Sequence, residues 1–158
     1  MDSKADMYFK RARTELETAE ILFEISNNED TKTNFNISTD STYFSGVISH
    51  AYYAIFYSAK AILLTKNIET KAPEIHRKTY EEFKEKFVDS GILDVKLLEI
   101  YKKMIVRADE LLQIFKDEKW KRGHFTYQTI PQANKDPAEQ SINNAINFIK
   151  HIKTVIEK

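Results

Sequence analysis

Cysteine is absent from the chain, which removes disulfides, thiol nucleophiles and thiolate metal sites together. Glycine and proline occur only three times each. The glycines Gly46, Gly91 and Gly123 stand alone, so neither a Walker loop nor a Rossmann turn can be built. Excess charge of one sign is missing too: 24 Lys and Arg balance 24 Asp and Glu, leaving no overall field to draw in polyanions. Any attraction for nucleic acid must come from a local patch. No apolar run is expected to reach the roughly 18 residues of a membrane span, and Met1 to Lys10 lacks the apolar stretch of a secretory signal. The expected location is therefore the cytoplasm with no membrane association, where the sequon Asn36-Ile37-Ser38 is incidental.

What is present is the raw material of helices. Hydrophobic residues make up 42% and charged residues 30% of 158 residues, the balance of one folded helix-rich domain spanning 1–158. Phe9, Ala12, Leu16, Ala19 and Phe23 recur in steps of three and four, one stripe of an amphipathic helix. The Asn-, Asp-, Ser- and Thr-rich segment 27–41 reads as a polar loop. From Thr42 to about Lys66 apolar residues crowd nearly the whole circumference, which marks a central or interface helix. Pro73 suits a first helical turn, and the stripe Tyr80, Phe83, Phe87 stops at Gly91. Asp94 can cap a long helix striped by Leu97, Tyr101, Met104, Ile105, Ala108 and Leu111. A loop over 123–135 precedes a last helix, opened by the capping box Asp136-Pro137-Ala138-Glu139 and striped by Ile142, Ala145, Ile149 and Ile152. No alternating strand pattern occurs, so the expected fold is all-α, an antiparallel bundle of about four or five helices.

Chemistry-bearing patterns are few. A di-metal site in a helical bundle needs Glu-x-x-His motifs facing inward, and none occurs. His50, His76, His124 and His151 form no i, i+4 pair, so neither a metal nor a cofactor is expected. The strongest local signal is Lys116 to Gln128, where Lys119, Lys121 and Arg122 flank Trp120 beside His124 and Tyr127. Cations for phosphate and rings for bases stand together there. Cations near a helix C-terminus also complement its dipole, and Trp120 can simply pack. On the apolar helix, a lone His50 suits a hydrogen-bonded partner, while Tyr52 and Tyr53 point about 100° apart. Tyr53 is the one assigned to a cleft, and Ser49 can bond to its own helix or to a ligand.

The string Ser49-His50-Ala51-Tyr52-Tyr53-Ala54-Ile55-Phe56 is followed by Ala59-Lys60-Ala61-Ile62-Leu63-Leu64, and then by Lys71, His76, Phe83, Phe87, Gly91 and Asp94. Taken in that order it resembles the HEPN superfamily, in particular its small prokaryotic stand-alone members. The resemblance implies a helical bundle that forms a homodimer with a polar cleft between subunits. It further implies a role in toxin–antitoxin or defence-type systems, as an RNA-binding or RNA-cleaving protein or as the partner of a small nucleotidyltransferase. The family motif is an Arg followed four to six residues later by His, supplying a phosphate grip and an acid/base group without metal. Here Arg122 opens the matching string, Tyr127 stands five residues on, and His124 lies only two residues away. Arg122, His124 and Tyr127 are thus the catalytic candidates, with Ser49, His50, Tyr53, Lys119, Trp120 and Lys121 as binding candidates. In some relatives a Tyr near the motif is modified by the nucleotidyltransferase, which Tyr127 would match. Arg107 competes with Arg122 for the family Arg, because the helix preceding it is aligned by length and the string around Arg122 would then lie in an insertion; Tyr127 favours Arg122. A binding module without chemistry and an interhelical small-ligand cavity lined by Tyr53, Tyr57 and Trp120 are the other functions these residues support.

Overall fold

The structure, a computed structural model, describes residues 3–121 and 134–157, the side chains of 112–121 excepted. Six α-helices occupy them: α1 (Ser3–Asn27), α2 (Glu29–Asn34), α3 (Phe44–Leu64), α4 (Ile75–Phe83), α5 (Val95–Lys121) and α6 (Lys135–Ile156). A π-helical turn, Lys84–Val88, prolongs α4. No strand occurs among the described residues, and the protein is an all-α bundle.

Helix α3 is the hub and touches α1, α4, α5 and α6. Its near-complete apolar circumference explains this, since fifteen of its residues are buried, from Phe44 to Leu64. By length and composition α3 does meet the requirement for crossing a membrane, contrary to the reading from apolar runs, because Ser, His and Lys interrupt it without lowering its mean enough. Within the bundle 78% of that stretch is buried, so its apolar surface is spent on neighbouring helices. Helix α1 supplies Ala5, Phe9, Ala12 and Ala19, all buried, as its stripe predicts. The small side chains let the two helices approach closely: a Cβ on Gly46 would lie 3.0 Å from Leu22 Cδ1. On the other side α6 buries Ala138, Ile142, Ala145, Phe148, Ile149 and Ile152.

Three expectations about helix ends need correcting. The segment 27–41 is not loop throughout, because Asn28 caps α2 by accepting from the Thr31 N–H at 3.0 Å. Helix α4 starts at Ile75 rather than around Pro73, since Glu74 adopts the left-handed conformation (φ 54°) just ahead of it. The capping box at Asp136 does not form. Asn134 is the N-cap, and Pro137 falls in the first turn, where its missing N–H would have no helical partner anyway. Asp94, by contrast, accepts from the Lys96 N–H at 2.8 Å and caps α5, and Gly91 takes positive φ (84°) to end the preceding segment.

Helices α4, α5 and α6 are joined by a cluster of rings. Phe83 lies 5.6 Å from Tyr101 and 5.4 Å from Phe148, with Tyr101 and Phe148 edge to face at 5.7 Å. All three are fully buried. Burial pushes the Tyr101 phenol well above its ordinary value, and its hydroxyl has no hydrogen-bond partner among the described residues. A buried unpaired hydroxyl costs on the order of 1–3 kcal/mol. Tyr101→Phe should therefore stabilise the fold by about 1 kcal/mol in urea denaturation. A loss of similar size would show that the hydroxyl is paired.

Candidate functional site

Three short helical stripes converge on one cleft. From α3 come Ser49, Tyr52 and Tyr53; from α4, His76, Arg77 and Tyr80; from α5, Lys102, Ile105, Val106 and Asp109. The α3 and α5 sets follow i, i+3, i+4 spacing, and on α4 His76 and Tyr80 are four apart and Arg77 and Tyr80 three apart, which puts the members of each set on one side of their helix. The cleft encloses about 640 Å³, within the range of small-molecule and nucleotide sites.

Tyr52 and His76 form its centre. Tyr52 is buried, and its hydroxyl lies 2.8 Å from His76 Nδ1. The His76 ring stacks on Phe56 at 4.3 Å and meets Tyr53 edge to face at 5.9 Å. Partial burial holds the imidazole below its ordinary value, the Lys60 ammonium adds to the effect, and Asp109 opposes it. Burial likewise raises the Tyr52 phenol, reinforced by Tyr53 and Asp109, so it stays protonated. Lys60 is itself buried in α3, donating to the Thr70 carbonyl at 3.2 Å and lying over the Tyr8 and Phe56 rings at 4.7 and 5.8 Å.

The cations have different surroundings. Arg77 donates to Glu74 and to Glu81 on its exposed face. Such surface pairs are worth little, so an incoming phosphate can displace them. Lys102, from α5, is exposed. The cleft thus offers rings, two cations and one carboxylate, the ingredients for holding a base beside a phosphate.

Of the residues singled out from sequence, Ser49 and Tyr53 line this cleft, and so does Tyr52, which the adjacency argument assigned to packing. It does both, burying its ring while its hydroxyl meets His76. His50 is turned the other way: its Nδ1 lies 2.5 Å from Glu15 Oε2, and Arg11 also pairs with Glu15 at 3.1 Å. A nearly buried carboxylate is thereby satisfied by two partners. Tyr57 stacks with Tyr8 at 6.1 Å beneath Arg11, and so belongs to the α1–α3 seam. The side chains of Lys119, Trp120 and Lys121 and the whole of Arg122, His124 and Tyr127 lie outside what the structure describes, although α5 itself runs on through Lys121, about 18 Å beyond Asp109 along the helix axis. No group of His, Asp and Glu suited to a metal occurs among the described residues.

Arg107, the competing candidate, is engaged in structure. It donates to the Pro137 carbonyl at 3.1 Å, to Ser141 Oγ at 3.0 Å and to Gln140 Oε1 at 3.2 Å, clamping the start of α6 to α5. Burial lowers its guanidinium from the ordinary value, with Glu110 opposing, and it remains charged. Arg107→Ala should cost about 1–2 kcal/mol of stability from the lost charged hydrogen bonds. In an equilibrium denaturation and RNA titration run side by side, binding should stay within about twofold of the parent. Weakened binding at unchanged stability would make Arg107 a site residue instead.

His76, Arg77, Tyr80 and Lys102 were not picked out as site residues from sequence. His76 entered only in the family string and among the histidines weighed for a metal, and the spacing of Tyr80 four residues after His76 and three after Arg77 was the available signal.

No family model and no solved structure matches the chain. It is 30% identical over 142 residues to a Methanocaldococcus jannaschii protein provisionally named toxin MJ0605, covering 90% of this chain and 91% of that one. A second protein of the same organism, provisionally named toxin MJ0142, is 37% identical over 60 residues, 38% of this chain and 39% of the other.

Proposed function

Since the chain belongs to the family of the provisionally named toxin MJ0605, we propose that it is the toxin-type component of a toxin–antitoxin or defence system, a HEPN-type homodimer that binds single-stranded RNA in the α3–α4–α5 cleft. The observation that carries this reading is the convergence of Tyr53, His76 and Tyr80 with Arg77 and Lys102 around one opening. Rings accept bases of any sequence, and cations beside them take the backbone, which is how single strands are held without sequence readout. The zero net charge fits a local rather than a global electrostatic mechanism. Helix α5 carries the cleft's cation Lys102 and continues toward the Lys119–Arg122 run, so one helix joins the two basic regions.

The test is fluorescence anisotropy of a labelled single-stranded oligoribonucleotide across a salt series. Binding should weaken with rising salt, and replacing one phosphate-contacting cation, Lys102→Ala, should reduce the log–log slope by about one. Absence of binding at low salt, or a slope unaffected by Lys102→Ala and Arg77→Ala alike, overturns the proposal.

A further inference from the structure

We propose that Asp109 makes the cleft select guanine, its carboxylate accepting from the Watson–Crick edge of a base laid against the rings of α3 and α4; the inference rests on the RNA-binding reading above.

Asp109 stands on α5 and lines the same opening as Tyr53, His76 and Tyr80. It is exposed, and it is the one carboxylate among the described residues lining that opening. The nearby Glu74 and Glu81 are both paired with Arg77, whereas Asp109 takes part in no hydrogen bond or ion pair among the described residues. Its field nevertheless reaches the centre of the cleft, acting on the Tyr52 phenol and on the His76 imidazole. An acceptor with unused oxygens thus faces the rings that would carry a base.

Phosphate repels a carboxylate, so Asp109 can serve a bound strand only through a group that donates. Single-stranded RNA offers donors on its base edges and at its 2′-hydroxyls. The bases differ in what they set before a carboxylate. Guanine presents N1–H and its N2 amino group side by side, one donor for each oxygen, in the forked geometry that makes guanidinium–carboxylate pairs strong. Adenine and cytosine set an amino group beside a ring nitrogen lone pair, and the N3–H of uracil lies between two carbonyl oxygens. With those three, one oxygen of Asp109 meets another acceptor and is repelled. Only guanine satisfies both.

The surroundings strengthen such a pair. Ile105, Val106 and Ala108 place apolar surface next to Asp109, and a base lying on Tyr53 or Tyr80 would shed water from the contact. Arg77 and Lys102, in the same opening, hold the flanking phosphates and offset their repulsion by Asp109.

The test uses the full chain and labelled single-stranded oligoribonucleotides of one length, all uridine except for one central guanosine, inosine, adenosine or cytidine. Affinity is read by fluorescence anisotropy for the parent and for Asp109→Asn, a substitution at an exposed residue on which no described contact of the fold depends. The parent should bind the guanosine strand at least about tenfold tighter than the adenosine, cytidine and all-uridine strands, the scale of one bidentate base contact. Inosine keeps N1–H but lacks the amino group, and its strand should fall between. Asp109→Asn should bring all strands within about threefold of one another, and should bind the all-uridine strand no more weakly than the parent does, because a negative charge facing phosphate is gone. A carboxylate acting only as a surface charge, or accepting from a 2′-hydroxyl, would instead shift every strand by the same factor. Equal affinity of the parent for all strands, or a guanosine preference that survives Asp109→Asn, overturns the inference and leaves the binding function standing. Failure of every strand to bind at low salt removes that function and the inference with it.

Discussion

Phe83→Ala should be the most damaging single substitution in the bundle, lowering stability by about 3–5 kcal/mol. Phe83 is fully buried, and its ring meets Phe87, Tyr101 and Phe148 at 6.2, 5.6 and 5.4 Å. Those contacts link α4 and its π-helical extension to α5 and α6, so the cavity opens where three helices meet and none can close it alone. Against a total stability of roughly 5–15 kcal/mol, such a loss leaves a marginal fold. Thermal denaturation should register a midpoint lower by on the order of 10 °C. The effect also reaches the cleft, since α4 presents His76 and Arg77 only while its other face is seated. A change below about 1 kcal/mol would mean that α4 is held by something other than this ring cluster.

The second large effect concerns binding. Reversing both cations, Arg77→Glu with Lys102→Glu, should weaken affinity for single-stranded RNA by about a hundredfold at low salt, while far-UV circular dichroism stays unchanged. Both side chains are exposed, so the fold loses only the pairs Arg77 makes with Glu74 and Glu81. Each reversal replaces an attraction to phosphate by a repulsion, and the two lie on different helices across one opening. If affinity hardly changes, RNA is held elsewhere, and the Lys119–Arg122 run becomes the place to look.

Much of the fold is legible in the sequence because burial imposes a period. The α3 stretch from Phe44 to Leu64 is apolar on every side and lies at the centre, and the Ile142, Ala145, Ile149, Ile152 stripe of α6 is buried as spaced. What periodicity misses lies at helix ends, where single backbone choices decide. Glu74 in the left-handed region delays α4, and Asn134 rather than Asp136 opens α6. Phe148 escaped notice because it sits beside the Ile stripe, and only the ring cluster shows why it is needed.

The candidate site was less legible, for a physical reason. Each of its three stripes reads alone as an ordinary half-polar helix face, and the cleft exists only once α3, α4 and α5 are set against one another. Ser49 and Tyr53 could be nominated because they fall in the family string. Their neighbour His50 fell in the same string, yet the helix turns it toward Glu15. Lys60 is the clearest case of hidden purpose: a charged residue within an apolar run, it is buried against Thr70 and two rings, where it also biases the His76 proton.

The most direct test of the account is ultraviolet cross-linking of the full chain to a single-stranded oligoribonucleotide, with the attached residues located by mass spectrometry. The cleft predicts adducts on Tyr53 and Tyr80, lost in the presence of excess unlabelled RNA. Adducts confined to peptides that contribute nothing to the α3–α4–α5 opening, with none on either tyrosine, would contradict it.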